Sequence, residues 1–82
     1  MEASVSVLDL EVRQQGELTY LGLTLVEESG ATWLAALSAL PSGELPKIKV
    51  NDRLTVAHDE RGGRVLRAGQ VLPTMYCERP TE

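Results

Sequence analysis

Apolar residues recur with two different periods between residues 21 and 40, the stretch around which we expect the chain to be organised. Leu21, Leu23 and Leu25 alternate with small or polar residues, which predicts a strand with one buried face. From Trp33 onward the apolar residues recur at the three- and four-residue spacing of a helix. The pattern therefore predicts a strand followed by one short amphipathic helix.

Residues at both ends of the stretch 32–40 are typical of helix boundaries. Thr32 has a side-chain oxygen that can accept a backbone N–H bond, so we expect it to be the helix N-cap. Pro41 and Gly43 are expected to end the helix. A helix of about two turns is marginal on its own, so packing against the sheet must stabilise it.

Alternating runs before and after this stretch predict further strands. In residues 5–12 the apolar phase breaks after Val7, which indicates either a β-bulge or a lead-in before the strand. Residues 47–50 and 54–56 also alternate, and the glycine pair in residues 59–64 predicts the strongest turn.

The order of these elements, two strands, a helix and further strands, is that of the β-grasp (ubiquitin-like) fold. We therefore predict a single α+β domain over residues 1–82, with a mixed sheet of four to five strands curled over one short helix at about residues 32–40. Residues 78–82 are expected to form a polar tail. The predicted core combines apolar residues of the strands and the helix: Leu21, Leu23, Leu25, Trp33, Ala36, Leu37, Leu40 and Val56.

Three short segments, Gly30–Ser38, Val65–Val71 and Tyr76–Pro80, follow one another in the chain. They resemble, in that order, the G-x-T-V-x-x-A-I segment, the L-x-x-G-D-x-V segment and the Y-R-P ending of ThiS/MoaD-like β-grasp proteins, including the RnfH family. Gln70 stands where that pattern has Asp, and Trp33 where it has a β-branched residue. The resemblance implies a β-grasp fold and a function in binding another protein.

The C-terminal residues differ from those of sulfur carriers and protein modifiers of this kind. Such proteins have a flexible terminal Gly-Gly, whereas this chain ends in Arg79-Pro80-Thr81-Glu82. Gly62-Gly63 is followed by residues that we expect to complete the sheet. A sulfur carrier or modifier that requires C-terminal trimming is therefore the alternative function, not the leading one.

The charge balance argues against several classes of partner. The chain has 12 acidic and 8 basic residues, a net charge of −4, whereas nucleic acids and anionic membranes require clusters of Lys and Arg. No apolar run reaches the ~20 residues that a membrane-spanning helix needs. We expect a cytoplasmic protein, a monomer or weak homo-oligomer, that favours basic protein partners and binds neither nucleic acid nor membrane.

Few residues in the chain can support catalysis or metal binding. His58 is the only histidine and Cys77 the only cysteine, so neither a disulfide nor a cysteine-rich metal site is expected. The sequence has no phosphate-binding glycine loop. We therefore predict that the protein is not an enzyme and uses no cofactor or metal.

The leading prediction is a non-catalytic protein-interaction module, an adaptor or accessory chain of the ubiquitin-like, RnfH-like type. A second alternative is a PDZ-like peptide-binding domain, because residues 20–23 and 50–56 resemble its carboxylate loop and a later strand. That fold needs a long helix which residues 57–82 do not predict. The candidate partner-binding residues are those expected to project from the open sheet face or from an edge strand: Tyr20, Lys47, Lys49, Arg53, Thr55 and Tyr76.

Overall fold

Seven antiparallel strands form one sheet in the computed structural model, which describes residues 1–79. The strands are β1 (Glu2–Gln15), β2 (Leu18–Glu27), β3 (Thr32–Leu37), β4 (Arg53–Asp59), β5 (Gly62–Arg67), β6 (Gln70–Val71) and β7 (Thr74–Glu78). Their order across the sheet is β6-β5-β4-β1-β2-β3-β7, so the first hairpin, β1–β2, lies in the middle of the sheet.

Strand β3 occupies the stretch in which the sequence predicts a helix, so the α+β β-grasp prediction is wrong. Residues 1–79 contain no helix, and Thr32 begins a strand instead of capping a helix. β3 pairs with β2 on one side and with β7 on the other. Trp33, Ala35 and Leu37 face the core while Leu34 and Ala36 face outward, so the same residues also fit a period of two. Because a two-turn helix is marginal alone, pairing on both sides decides the structure.

The sheet curls until β5 and β7, which are not neighbours in its order, meet along a seam. The backbone N–H of Val65 donates to the Thr74 hydroxyl at 3.0 Å. Gly63 lies so close to Cys77 that a Cβ atom at position 63 would stand 2.6 Å from the Cys77 carbonyl oxygen. The seam therefore requires glycine at position 63 for space.

The core lies inside the curled sheet, and Trp33 is its largest fully buried side chain. The predicted core residues are buried, apart from Leu40, which is half-buried in a loop. Ala36 is fully buried but lies on the outer face of β3, outside the main cluster. That cluster contains Val5, Val7, Leu21, Leu23, Leu25, Trp33, Ala35, Leu37, Ile48, Leu54, Val56, Val65, Leu72 and Cys77.

The loop between β3 and β4, residues 38–52, contributes to this core. The predicted strand at residues 47–50 is part of the loop, although Ile48 is buried while Lys47 and Lys49 are exposed. The loop joins the sheet at its end, where the Asn51 N–H donates to the Val7 carbonyl at 2.8 Å. Alternation at residues 47–50 thus marks a segment with one buried side but no strand partner.

A bulge at Leu8 divides β1 into two parts. Val7 pairs with Leu25 and Asp9 pairs with Thr24, so Leu8 is an extra residue opposite β2. This is the phase break seen in the sequence, and the alternative of a lead-in is wrong because β1 begins at Glu2.

Beyond the bulge, β1 and β2 project from the sheet as a hairpin arm, residues 9–20. β4 pairs only with residues 2–6 of β1, and β3 pairs with β2 only from Leu21 onward. Within residues 1–79, no strand pairs with the free side of β1 at residues 9–15 or with that of β2 at residues 18–20. Its two-residue turn has Gly16 at φ +62° followed by Glu17, as in a type II′ turn.

The predicted tail at residues 78–82 is wrong at its start. Glu78 is the last residue of β7 and pairs with Leu34, and the Arg79 side chain contacts Glu27. Residues 80–82 lie outside the described part of the chain.

Candidate functional site

A shallow groove of about 220 Å³ crosses the outer face of the sheet between β1 and β7. Its floor is formed by Gly22 and Thr24 of β2, whereas Ala36, beside Gly22 on β3, is fully buried. On one side Glu11 pairs with Gly22, and on the other Tyr76 pairs with Ala36. We call this depression, built on the cross-strand row Glu11–Gly22–Ala36–Tyr76, the outer groove.

One wall of the outer groove is charged. Asp9, Glu11 and Arg13 project from alternate positions of β1 on this face. Arg13 forms an ion pair with Glu11, whose carboxylate raises the pKa of the Arg13 guanidinium, with a smaller contribution from Tyr20. Both side chains of the ion pair are more than half exposed, so the pair adds little to stability and can exchange partners.

The opposite wall is aromatic and apolar. Leu34 is 38% exposed and Tyr76 is 45% exposed, and both line the groove. Large apolar side chains side by side on a sheet face, next to a charged wall, give a surface with two kinds of contact.

The floor at Gly22 is covered by a cationic side chain of the chain itself. A Cβ atom at position 22 would stand 3.3 Å from Nε of Arg13, so the Arg13 side chain lies across Gly22. The groove therefore already holds one guanidinium group beside the carboxylate of Glu11. Its shape and charge suit an arginine or lysine side chain.

The structure separates the six predicted partner-binding residues into two groups. Tyr76 lines the outer groove, and Tyr20 lies at its edge, paired with Arg13 across β1 and β2. Lys47 and Lys49 lie in the loop before β4, and Arg53 and Thr55 lie in β4 itself.

The backbones at Lys47 and Lys49 serve to fix the loop. The Lys47 carbonyl accepts a bond from the Arg67 guanidinium at 2.7 Å, and the Lys49 N–H donates to the Asp52 carboxylate at 2.9 Å. Both side chains remain exposed, away from the groove lining.

The sequence did not predict the charged wall, because the alternating run identified at residues 5–12 ends before Arg13. The signal was present in the alternation of Asp9, Glu11 and Arg13 with Leu10 and Val12, which continues the strand to the turn.

A second cluster of functional side chains closes one end of the curled sheet. The Trp33 indole N–H donates to Glu27 Oε2 at 2.9 Å, and Arg79 bonds to the same oxygen at 3.1 Å. The Arg79 guanidinium lies 4.8 Å from the Trp33 ring centre, and the His58 ring lies 5.2 Å from it. The Trp33 N–H and the Glu27 carboxylate oxygen are both hydrogen-bonded, so this cluster stabilises the buried position of the Trp33 ring in the core.

The residues considered for catalysis are poorly placed for it. His58 packs on Trp33, and Cys77 is 3% exposed. Burial raises the pKa of the Cys77 thiol to about 11, with a smaller contribution from Glu78. A buried thiol with that pKa is almost entirely protonated at neutral pH and is a weak nucleophile. Among residues 1–79, no three metal-binding side chains cluster together.

The Gly62-Gly63 pair begins β5, and Gly63 lies at the seam against Cys77. The helix that lines the peptide groove of a PDZ domain has no counterpart within residues 1–79. Nor does this part of the chain hold a helix long and apolar enough to cross a membrane.

Comparison of the chain with family models, with curated proteins and with solved structures finds no match. The resemblance of three short segments to RnfH-like chains stays a prediction, but the helix predicted at about residues 32–40 is wrong. The outer groove is therefore the feature of the molecule that bears on function.

Proposed function

We propose that this domain is a non-catalytic protein-binding module, an adaptor or accessory chain of the cytoplasm, that takes an extended segment of a partner protein in the outer groove. The observation that carries the proposal is the lining of the outer groove, in which Gly22 and Thr24 of β2 separate the charged wall on β1 from Leu34 and Tyr76.

The chemistry of the walls selects a basic segment. A lysine or arginine of the partner would pair with Asp9 and Glu11 and pack on the Tyr76 ring, which adds a cation–π contact. Arg13 would move aside, since its ion pair with Glu11 is solvent-exposed. A neighbouring apolar residue of the partner would cover Leu34. The net charge of −4 favours the same class of partner.

Binding of this kind should be weak and reversible. The groove is lined by ten residues, whereas each side of a standard stable interface contributes about 20–30 residues. Its affinity would come from one anchoring cation and one apolar contact, which is typical of transient recognition.

Two observations favour binding over the alternative functions. Trimming to a Gly62-Gly63 end would remove Val65, Leu72 and Cys77 from the core, which disfavours a modifier matured at that site. The environments of His58 and Cys77 favour packing over catalysis.

To test this, peptides that bind the 82-residue chain are selected from a displayed random library. The surface of the chain that they contact is then mapped by NMR titration. We expect enrichment of peptides with Lys or Arg beside an apolar residue, and amide shifts centred on Gly22, Leu34 and Tyr76. Gly22→Val fills the floor and should weaken binding about tenfold or more, through steric exclusion of the cation.

Ala57→Val is the matched control, because it adds bulk to the outer face of β4, away from the outer groove. Peptides without a basic preference, shifts that map to another face, or equal binding by the Gly22→Val variant would contradict the proposal.

A further inference from the structure

The hairpin arm leaves one edge of β1 open. Residues 9–15 pair with β2 on one side, and within residues 1–79 no strand or loop backbone pairs with them on the other. All residues from 11 to 19 are exposed, and Val12 is 65% exposed in the middle of this edge. An edge of this length can accept another strand.

The turn of the hairpin determines which backbone groups point toward the open edge. In a two-residue hairpin the flanking residues, here Gln15 and Leu18, form a hydrogen-bonded pair. Alternation along the strand then directs the N–H and C=O of Arg13 and Glu11 toward β2. Those of Leu10, Val12 and Gln14 point away from β2, into the open edge.

The charges along this edge select one self-pairing. When two copies of an edge strand pair antiparallel about a two-fold axis, the residue a given number of positions before the centre lies opposite the residue the same number of positions after it in the other copy. A centre at Glu11 or Arg13 puts like charges opposite each other. A centre at Leu10 puts Glu11 opposite Asp9, which also repels. Only a centre at Val12 puts Glu11 opposite Arg13 in both halves.

We propose that the chain forms a two-fold symmetric dimer in which residues 10–14 of β1 pair antiparallel with the same residues of a second copy, centred on Val12. The backbone phase fits this register, because Val12 faces Val12 and Leu10 faces Gln14 as hydrogen-bonded pairs, about six bonds in all. Glu11 and Arg13 of the two copies then form an alternating group of four charges on the outer face.

The side chains along the open edge of β1 differ from those of edge strands that are protected against pairing. Proteins commonly block an edge strand with lysines, prolines or inward-pointing charges. Here Val12 is the exposed residue on the inner face of the strand, and Glu11 and Arg13 carry opposite charges on its outer face. The edge thus repels a strand of uniform charge and accepts its own copy.

This inference shares Glu11 and Arg13 with the proposed function, but it rests on the open backbone edge of β1, which the groove does not use. In the dimer the two outer faces lie on the same side of one continuous sheet, so the two outer grooves would be presented together. A dimer can therefore exist without peptide binding, and peptide binding without a dimer.

The first test is sedimentation equilibrium of the 82-residue chain over a wide concentration range. We expect a reversible dimer. Arg13→Glu and Glu11→Arg should each weaken it about tenfold or more, because each places like charges opposite one another twice. The double variant E11R/R13E restores the opposite-charge pairs and should return the dissociation constant to near the original value.

Arg64→Glu makes the same charge change on exposed β5 and is the matched control, expected to leave the dimer unchanged. A chain that is monomeric at every concentration would overturn the proposal. So would a dimer that the charge reversals do not weaken, or that the double swap fails to restore.

The second test fixes the register. In the proposed dimer the two Val12 Cα atoms are about 5.5 Å apart, which is within disulfide range. Val12→Cys should therefore cross-link efficiently when oxidised glutathione is added, whereas Leu18→Cys, exposed on the other strand of the arm, should not. Cross-linking through Leu18→Cys and not through Val12→Cys would overturn the register.

Discussion

Strands β1 and β2 run through both the curled part of the sheet and the hairpin arm, and their side chains are buried in one and exposed in the other. In the curled part, Val5, Val7 and Leu25 are fully buried. In the arm, Val12 is 65% and Leu18 is 44% exposed. The difference teaches that β1 and β2 serve two purposes along their length: one half supplies the core and the other presents free edges.

The substitution expected to have the largest effect on stability is Trp33→Ala. Loss of the buried indole should cost about 3–5 kcal/mol of unfolding free energy, because it removes the largest side chain of the core. Val12→Ala in the arm is the control and should change the free energy by less than about 0.5 kcal/mol at monomer concentrations. Urea denaturation followed by circular dichroism measures both. Equal losses at the two sites would contradict the division into a curled core and an open arm.

Two of the glycines in strands, Gly63 and Gly22, test the difference in packing between the seam and the outer face. Gly63→Ala puts a methyl group 2.6 Å from the backbone oxygen of Cys77, so the seam must open, at a cost of about 1–3 kcal/mol. Gly22→Ala meets only the flexible end of Arg13, at 3.3 Å, and should change stability by no more than about 0.5 kcal/mol. Thermal unfolding of the pair measures the difference. Equal melting temperatures would mean that β5 and β7 are not in close contact.

A smaller effect concerns the pH dependence of the seam. Burial raises the pKa of the Cys77 thiol from its ordinary 9.0 to about 11 in the folded chain. Below pH 9 both folded and unfolded chains keep the proton, so stability is unaffected. Between pH 9 and about 11 the unfolded chain releases it more readily, and stability falls.

Cys77→Ala removes this titration. The wild-type chain should therefore lose more stability than this variant between pH 8 and pH 11, measured by urea midpoints. In parallel, the thiol should react slowly with a disulfide reagent at pH 8 unless urea is added. Rapid labelling of the folded chain would contradict a closed seam.

The sequence predicts the parts of the fold that depend on local pattern. Alternation at Leu21, Leu23 and Leu25 identifies β2, and the break after Val7 corresponds to the bulge. The helix prediction for residues 32–40 is wrong because the apolar positions fit a period of two as well as the helical spacing, while alanine and leucine favour a helix locally. Only the strands on both sides of β3, one of them distant in sequence, distinguish the two.

The candidate site was less predictable than the fold. Tyr20 and Tyr76 were selected from the sequence as outward-facing residues, and both lie at the outer groove. The groove itself depends on Gly22 and Thr24 of β2 lying between β1 and Leu34 of β3, which requires knowledge of both registers. The charged residues at 9, 11 and 13 become a wall only when β1 is known to run to Gln15.

The bulge at Leu8 has a consequence for how such a domain can change over evolutionary time. Because Leu8 is an extra residue, losing its codon would leave every later pair between β1 and β2 intact, with Leu10 still opposite Leu23. What would change is the bend and twist that the bulge gives to the strand. A single in-frame deletion would thus re-aim the whole arm without altering its side-chain pattern, so the direction of binding can evolve separately from its chemistry.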